Sequence, residues 1–344
     1  MSLGVQPFIP PGWASSGHAQ TILGHLMPSP SVGDPGERYW LKLGDGDDLG
    51  LELFTPGPPR ALSGSREKKP VRNVVSIFHG LGGNTDADYM RRTARICLDK
   101  GFAVILVNHR GCGWGEGRAV HPYHSGRAED IAAVIRFSRE KYPDAKQWAI
   151  GFSLSANALL LLLSGRRGSN GDKRDIPESA IAVNAPVNLE NCAHLLKRGL
   201  NKIYDLRFQW GCSRSVKSRL KRGLIREEFK GQLRVPIFSN LHDFDSIYTA
   251  KAGGFKDRED YYRSCSTWDV LDQISAPAVV MTAEDDPFVD YRDYLYRKVP
   301  SHVLLHIEEK GGHMGYYSAN ATPLGTRRWM DYALDSAIQK LGVL

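Results

Sequence analysis

A serine at position 153 lies in a sequence setting that favours nucleophilic chemistry. Ser153 follows an apolar segment, residues 148–150, in the string Gly-Phe-Ser-Leu-Ser, and six apolar residues, 158–163, come soon after it. A strand, a tight turn around a serine and a helix form the strained elbow that presents a nucleophilic hydroxyl. This turn needs small residues two positions to either side: Gly151 is one, and Ser155 is small enough, although it stands where a second glycine is usual. The alternative is a serine that only caps a helix.

A glycine-rich string, His79-Gly80-Leu81-Gly82-Gly83, directly follows a predicted strand. Acyl transfer develops negative charge on a carbonyl oxygen, and backbone N–H donors aimed at that oxygen stabilise it. Glycines let a loop approach a substrate closely. We therefore predict an oxyanion hole formed by the amide of Leu81, in this loop, and the amide of Leu154, directly after the serine. A plain glycine-rich turn is the alternative, whereas a phosphate-binding loop would need a Gly-Lys-Ser/Thr that does not follow.

An acid and a histidine come later in the chain. Asp285 and Asp286 follow one predicted strand, and His313 lies in a glycine-rich loop after the last predicted strand. A histidine that is oriented by a carboxylate can remove the proton of a serine hydroxyl. The order serine, acid, histidine is the one that α/β-hydrolases use, and other serine hydrolase folds use different orders. We predict a triad of Ser153, His313 and one of these two aspartates.

The segments that must position these residues alternate between strands and helices. Residues 39–43 and 49–54 predict a β-hairpin around a Gly-Asp turn, and amphipathic stretches at 89–100 and 128–141 predict helices. Short apolar runs predict strands at 74–78, 103–107, 148–150, 180–183, 278–282 and 303–307. Buried strands that alternate with helices indicate a mostly parallel, doubly wound α/β sheet.

One interval interrupts this alternation. Residues 188–276 carry a helix-like, basic pattern, and we expect a helical lid there, inserted into a single domain that spans residues 1–344. Eleven lysines and arginines but only three acids lie between His194 and Lys230, while the rest of the chain is nearly neutral. A nucleic-acid-binding protein is not expected from this distribution. The basic segment is either a solvated helical face or a surface that attracts an anionic membrane or the phosphates of acyl-CoA.

The composition, 42% hydrophobic and 24% charged, excludes a disordered chain and a coiled coil. The six-residue apolar run is far shorter than the roughly 20 residues of a membrane span, and no secretory signal is evident.

Five scattered cysteines without a CxxC pair predict no disulfide framework, so we expect a cytoplasmic protein. His121 and His124 have helical metal-ligand spacing but no third ligand nearby, and we expect neither a metal nor a cofactor. Residues 56–70 predict an exposed loop.

The chain resembles the YheT-like branch of the α/β-hydrolases, also called AB-hydrolase family 4, over nearly its whole length. The strings that carry the resemblance occur in order along the chain: Pro7-Phe8-Ile9-Pro10, Gly17-His18-Ala19-Gln20-Thr21-Ile22, His79-Gly80-Leu81-Gly82-Gly83, Asn108-His109-Arg110-Gly111-Cys112, Tyr123-His124-Ser125-Gly126, Asp130, Gly151-Phe152-Ser153-Leu154, Asn184-Ala185-Pro186, Phe244-Asp245, Tyr261-Tyr262-Arg263, Asp285-Asp286-Pro287-Phe288 and Gly311-Gly312-His313-Met314-Gly315. The resemblance implies an esterase-type serine hydrolase that acts on short- to medium-chain acyl esters through an acyl-enzyme. Acyl transfer from a thioester to an alcohol, or phospholipase activity, would use the same residues. A silent scaffold that binds a lipid or a protein is the less favoured alternative.

The resemblance also places the triad acid immediately before a Pro-Phe pair, and here that residue is Asp286. Because the residue before a proline is restricted to extended conformations, the direction of this side chain is well defined, as an orienting group requires. We therefore prefer Asp286 and expect Asp285 to bond the loop or to face solvent.

Overall fold

The computed structural model describes residues 2–27, 36–56, 70–169, 171–225 and 240–343. Its strands are β1 (Glu37–Lys42), β2 (Asp48–Phe54), β3 (Asn73–Phe78), β4 (Ala103–Asn108), β5 (Lys146–Phe152), β6 (Ser179–Val183), β7 (Ala278–Ala283) and β8 (Val303–Glu308). They form one sheet in the order β1-β2-β4-β3-β5-β6-β7-β8. Strand β2 runs antiparallel to both of its neighbours, and the other pairs are parallel.

Helices surround this sheet and connect its strands. They are α1 (Gly17–Leu26), α2 (Asp88–Asp99), α3 (Ala128–Lys141), α4 (Leu154–Leu163), α5 (Leu189–Leu196), α6 (Lys202–Lys221), α7 (Leu241–Phe244), α8 (Ala250–Ala252), α9 (Arg258–Cys265) and α10 (Trp329–Val343). A π-helical turn over Asp245–Thr249 joins α7 to α8. Within the described ranges, no helix has both the length and the apolar character that crossing a bilayer requires.

The predicted sheet is confirmed. Each predicted strand lies within an observed one, the hairpin is formed by β1 and β2, and the helices predicted at 89–100 and 128–141 are α2 and α3. Successive side chains of a strand point to opposite faces, and both faces are buried here. Val74 belongs to the apolar core on the side of α3 and α4, whereas Val75 belongs to the core on the side of α2 and α10. This is the doubly wound arrangement that the sequence predicted.

Helix α4, which follows the candidate nucleophile, is buried on all sides. Leu159, Leu160, Leu161, Leu162 and Leu163 are each fully inaccessible to solvent. A helix that is apolar all round belongs in the interior, and its burial fixes the position of its first turn. The elbow therefore rests on one of the most constrained elements of the molecule.

The chain between β6 and β7 contains α5 to α9 and, in its described part, no strand. Residues 226–239 of the predicted lid lie outside the described residues, as do residues 57–69 of the predicted loop. The inner side of α6 lies against the segment after β7, because Tyr204 and Phe208 pack on Phe288 with ring centroids 5.5 and 5.8 Å away. The helices of this interval therefore approach the carboxyl edge of the sheet.

Candidate active site

Ser153 occupies the turn between β5 and α4 in a strained conformation. Its backbone angles are φ 51° and ψ −120°, a region that a residue with a side chain seldom adopts. The Ser153 amide donates to the carbonyl of Val183, 2.8 Å away, which ties the turn to β6. A Cβ at position 151 would lie 2.8 Å from Cα of Ala156, so only glycine fits there. The strand–turn–helix predicted from sequence is present, and it leaves the serine half-buried.

The structure brings the three predicted triad residues together. His313 Nε2 lies 2.8 Å from Ser153 Oγ, and His313 Nδ1 lies 2.7 Å from Asp286 Oδ2. When Nδ1–H donates to the carboxylate, the Nε2 lone pair faces the serine hydroxyl, as proton removal requires. Both Asp286 and His313 are buried, so little water competes for these hydrogen bonds.

The carboxylate of Asp286 is held by four donors. Its Oδ1 accepts from the backbone amides of Phe288 and Val289, at 3.2 and 3.1 Å. Its Oδ2 accepts from His313 and also from Nδ2 of Asn184, at 2.9 Å. Both oxygens are therefore fixed, and the direction of the one that faces the histidine is defined.

The neighbouring Asp285 turns to a different partner. Its Oδ1 accepts from the backbone amide of Gly312, at 2.8 Å, in the loop that carries His313. Burial raises the pKa of Asp285 above its usual value. The structure thus places Asp286 at the histidine and Asp285 on the loop, as the sequence analysis preferred.

Asn184 is a supporting residue to which the sequence analysis assigned no role. It lies directly after β6 with φ 48°, a left-handed conformation that asparagine tolerates better than most residues. From there its Nδ2 donates to Asp286 and, at 3.3 Å, to the carbonyl of Gly312. The available signal was an asparagine directly after a buried strand, at the sheet edge where ligands bind.

Helix α1 is a second element whose role the sequence analysis missed. Thr21 Oγ1 accepts from the backbone amide of His313 at 2.9 Å. A Cβ on Gly17 would lie 1.8 Å from the carbonyl oxygen of Asp285, and one on Gly312 would lie 2.2 Å from the carbonyl oxygen of Gly17. These close approaches require glycine, so α1 supports the loops of the acid and of the histidine. The motif around Gly17 was the available signal.

The predicted oxyanion loop passes directly beside the serine. A Cβ on Gly80 would lie 2.9 Å from Cβ of Ser153, and Gly82 has φ +72°. Leu81 lies between these two glycines. On the other side, Leu154 opens α4, so its amide is among the first-turn donors that have no acceptor inside the helix. The two predicted donors therefore belong to backbone segments that meet at Ser153.

Ser155 connects the elbow to this loop. Its hydroxyl lies 2.5 Å from the carbonyl oxygen of His79, 2.8 Å from the hydroxyl of Tyr123 and 2.7 Å from Nε2 of His109. The sequence analysis treated Ser155 only as a residue small enough for the turn. A glycine could form none of these contacts, so the serine adds a polar link between the nucleophile turn and the residue before Gly80.

Two buried histidines complete this network in neutral form. Burial lowers the pKa of His79 to about 4, and burial also holds the pKa of His109 well below its usual range. The His79 ring is bonded to the carbonyl of Gly80 (2.7 Å) and accepts from the amide of His109 (3.2 Å). The hydroxyl of Ser155 donates its single proton to the backbone carbonyl oxygen of His79. Nε2 of His109 must therefore carry a proton and donate it to Ser155 Oγ. These histidines hold the loop through hydrogen bonds to Gly80, to each other's segment and to Ser155.

A cluster of metal-ligand types lies elsewhere, around Arg110. Ligand atoms of Asp45, Asp47 and His121 lie within 4.8 Å of one another. The guanidinium of Arg110, however, is 2.7 Å from the Asp45 carboxylate and 2.6 Å from that of Asp47, and it forms a bidentate pair with Asp130. This buried guanidinium already pairs with all three carboxylates, so the cluster is explained as an ion-pair network.

Comparison with known proteins identifies the fold and the class of the molecule. Residues 73–319 match the α/β hydrolase fold family. YheT of Escherichia coli (strain K12), named as a candidate esterase, is 30% identical over 94% of this chain and 90% of its own length. A monoacylglycerol lipase of Saccharomyces cerevisiae is 26% identical over 80% of this chain and 60% of its own length. The solved structure of a Pyrococcus furiosus esterase has a TM-score of 0.54 at 14% identity, covering 90% of this chain and 91% of that one.

The sheet order, the elbow and the family match define the class of the molecule. The chain belongs to the α/β-hydrolase family, and its similarity to YheT places it in the YheT-like branch. It is accordingly an enzyme, a serine hydrolase of the carboxylesterase type.

Proposed function

We propose that the protein hydrolyses short- to medium-chain carboxylic esters through an acyl-enzyme on Ser153. The observation that carries the proposal is the continuous line of hydrogen bonds from Asp286 through His313 to Ser153, with distances of 2.7 and 2.8 Å. A nucleophile, a base and an orienting acid in contact are what this chemistry needs. Relatives named as an esterase and a monoacylglycerol lipase support ester substrates.

In the acylation half of the proposed reaction, Ser153 Oγ attacks the ester carbonyl carbon while His313 Nε2 takes the hydroxyl proton. Asp286 stabilises the imidazolium that forms, without itself becoming protonated. The amides of Leu81 and Leu154 donate to the oxyanion of the tetrahedral intermediate. When the intermediate collapses, His313 gives its proton to the leaving alcohol, and the acyl group stays on Ser153.

In the second half, water attacks the acyl carbonyl carbon while His313 Nε2 takes a proton from it. The proton then passes to Ser153 Oγ as the bond between that oxygen and the acyl carbon breaks, and the carboxylic acid leaves. An alcohol in place of water would make the reaction an acyl transfer with identical protein groups. The outcome depends on how well water is excluded from the acyl-enzyme. Hydrolysis and transfer are therefore separated by the product formed and not by the triad.

We also infer that residues 188–276 form a lid that belongs to the same single domain and selects the substrate. Support comes from Tyr204, whose ring packs on Phe288, while Phe288 in turn lies 4.3 Å from the ring of His313. A cytoplasmic location remains part of the proposal. The five cysteines are all free thiols, as a reducing compartment would keep them.

A fluorophosphonate probe tests the nucleophile directly. Labelling should fall on Ser153, and Ser153→Ala should lose both labelling and turnover of p-nitrophenyl acetate. Ser164→Ala, at the far end of α4, is the matched control and should keep both. Labelling of Ser155, or full turnover by Ser153→Ala, would refute the assignment. A panel of p-nitrophenyl esters from acetate to palmitate, with and without added alcohol, then measures chain length and the share of transfer.

A further inference from the structure

One side of α6 exposes large apolar side chains to solvent. Ile203 is 65% exposed, Leu206 52% and Trp210 65%. Residues three, four and seven apart lie on the same side of a helix, so the three form one stripe. A cluster of exposed apolar residues is typical of a surface that contacts a partner, because leaving such side chains in water forgoes a favourable burial.

The same side of α6 becomes basic toward its C-terminus. Arg214, Lys217 and Lys221 follow Trp210 at spacings of four, seven and eleven residues, and all three are exposed. The guanidinium of Arg214 lies over the Trp210 ring at 5.9 Å. In the described part of the chain, no carboxylate forms a salt bridge with these three residues. We call Ile203, Leu206, Trp210, Arg214, Lys217 and Lys221 the α6 outer face.

No acidic side chain of α6 offsets this charge. Asp205, the single acid of the helix, is only 5% exposed, and its carboxylate accepts from the backbone amide of Leu241 at 2.7 Å. The face therefore combines aromatic and aliphatic groups with cations that no carboxylate of the described residues neutralises. Lipid-water interfaces select this combination, since apolar groups enter the acyl boundary while lysines and arginines reach the phosphates.

Helix α6, which carries this face, lies beside the candidate active site. On its inner side, Tyr204 stacks on His18 of α1 at 5.7 Å and contacts Phe288, the neighbour of His313. Helix α1 adds exposed apolar residues of its own, Ile22 at 48% and Leu26 at 73%. Two adjacent helices that both contact the triad loops thus carry exposed apolar groups.

We propose that the α6 outer face docks on the surface of an anionic phospholipid membrane. Charge complementarity favours this occupant. A second copy of the chain using the same face would set cations against cations, and a nucleic acid would leave the stripe of Ile203, Leu206 and Trp210 without a partner. Docking goes beyond ester hydrolysis, because it requires no turnover.

Cosedimentation with vesicles tests the proposal. The protein should bind vesicles of phosphatidylcholine mixed with phosphatidylglycerol and should bind pure phosphatidylcholine vesicles much more weakly. Each basic residue near an anionic surface contributes a similar share of the binding free energy. The triple variant Arg214→Gln, Lys217→Gln, Lys221→Gln should therefore bind mixed vesicles about a hundredfold more weakly. The matched control removes three exposed charges from the opposite edge of the sheet, with Lys141→Gln, Lys146→Gln and Lys298→Gln, and should bind like the parent.

The apolar half is tested separately with Ile203→Ser and Trp210→Ser together. This variant should lose the part of vesicle binding that persists at high salt, where charge is screened. Its control, Leu295→Ser with Tyr296→Ser, removes apolar groups of similar exposure elsewhere and should retain that binding. Unchanged circular dichroism spectra would show that each variant is folded.

Several outcomes would overturn the proposal. One is equal loss of binding in the α6 variants and in their controls. Others are a dimer that is abolished by Trp210→Ser without any vesicle binding, or binding of duplex DNA in place of vesicles. Ser153→Ala should bind vesicles like the parent, so vesicle binding is measured independently of the proposed catalysis.

Discussion

The elbow region and the helices between β6 and β7 both bury a titratable side chain, but burial changes the two pKa values in opposite directions. At the elbow, Ser155 and the ring of His79 contact backbone atoms of neighbouring segments, and His79 is kept neutral by burial. In the helical interval, Asp245 lies in the π-helical turn, where its Oδ2 accepts from the hydroxyl of Tyr262 at 2.9 Å and its side chain also bonds to that of Thr249. Burial raises the pKa of Asp245 to about 7.

This difference predicts opposite responses to pH. A histidine with a lowered pKa destabilises the folded state as the pH falls, since only the unfolded chain gains the proton readily. An aspartate with a raised pKa destabilises the folded state as the pH rises. The elbow thus depends on fixed geometry in neutral form, while the helical interval holds a carboxyl whose charge changes near neutral pH. The predictions below test this contrast.

The largest effect is expected at the triad acid. Asp286→Asn should favour the wrong tautomer of His313 and lower the rate of acylation by a short ester by about 10⁴, as the corresponding change does in serine proteases. Asp285→Asn is the matched control and should cost only about tenfold, through the contact with Gly312. A large loss at Asp285 with little at Asp286 would reverse the assignment and leave the serine hydrolase class intact.

The next effect concerns Asp245. Between pH 4 and 7 the folded state holds a proton on this carboxyl that the unfolded state has lost, so its contribution to stability falls as the pH rises. Asp245→Asn, which resembles the protonated form, should raise the free energy of unfolding by about 4 kcal/mol at pH 8 and leave it nearly unchanged at pH 4. Urea denaturation of both proteins at several pH values measures this. A difference that does not vary with pH would contradict the raised pKa.

A smaller and opposite effect is expected from His79. Its folded-state pKa of about 4 lies below the unfolded value near 6.5. The free energy of unfolding is therefore unaffected by this ring above pH 6.5, and it falls on acidification toward pH 4, because only the unfolded chain then gains the proton. The loss from this one ring should reach about 3 kcal/mol. Urea denaturation at several pH values measures this loss. It is carried out on the Asp245→Asn variant, in which the opposing pH dependence of Asp245 is absent. An NMR titration in which the His79 ring protonates near pH 6.5 would refute the prediction.

The smallest effect is expected at Ser155. Ser155→Ala removes the link to His79 and leaves Nε2–H of His109 without an acceptor, which should lower kcat about tenfold with little change in KM. Ser155→Gly leaves room for a water molecule at the hydroxyl position and should lose less. Ser164→Ala again serves as the control. Parent-like kcat in both Ser155 variants would show that the hydroxyl does not position the loop.

Local patterns in the sequence were sufficient for much of this description. The central strands follow from short apolar runs, because they are buried on both faces. The hairpin and the helices α2 and α3 follow from hydrophobic periodicity, which indicates the side of a segment that is buried. The elbow at Ser153 and the order serine, acid, histidine follow from residue types at short spacing. The excess of basic residues was also countable without a structure.

Contacts between distant segments could not be read in this way. The donation from Asn184 to Asp286 joins residues 102 positions apart, and that from the His313 amide to Thr21 joins residues 292 positions apart. No local pattern encodes such pairs, because they depend on which strands are neighbours in the sheet. The same holds for Ser155, which the sequence analysis judged by size alone.

The two aspartates after β7 show both what local sequence patterns predict and what only tertiary packing decides. The sequence determined that an acid would stand at the carboxyl end of β7 and that Pro287 would restrict the residue before it. Only the packing of α1 and of the loop after β8 decided that Asp286 meets His313 while Asp285 meets Gly312. Hydrophobic periodicity is a local property of the chain, whereas the direction of this buried carboxylate also depends on donors from two distant segments, at Asn184 and His313.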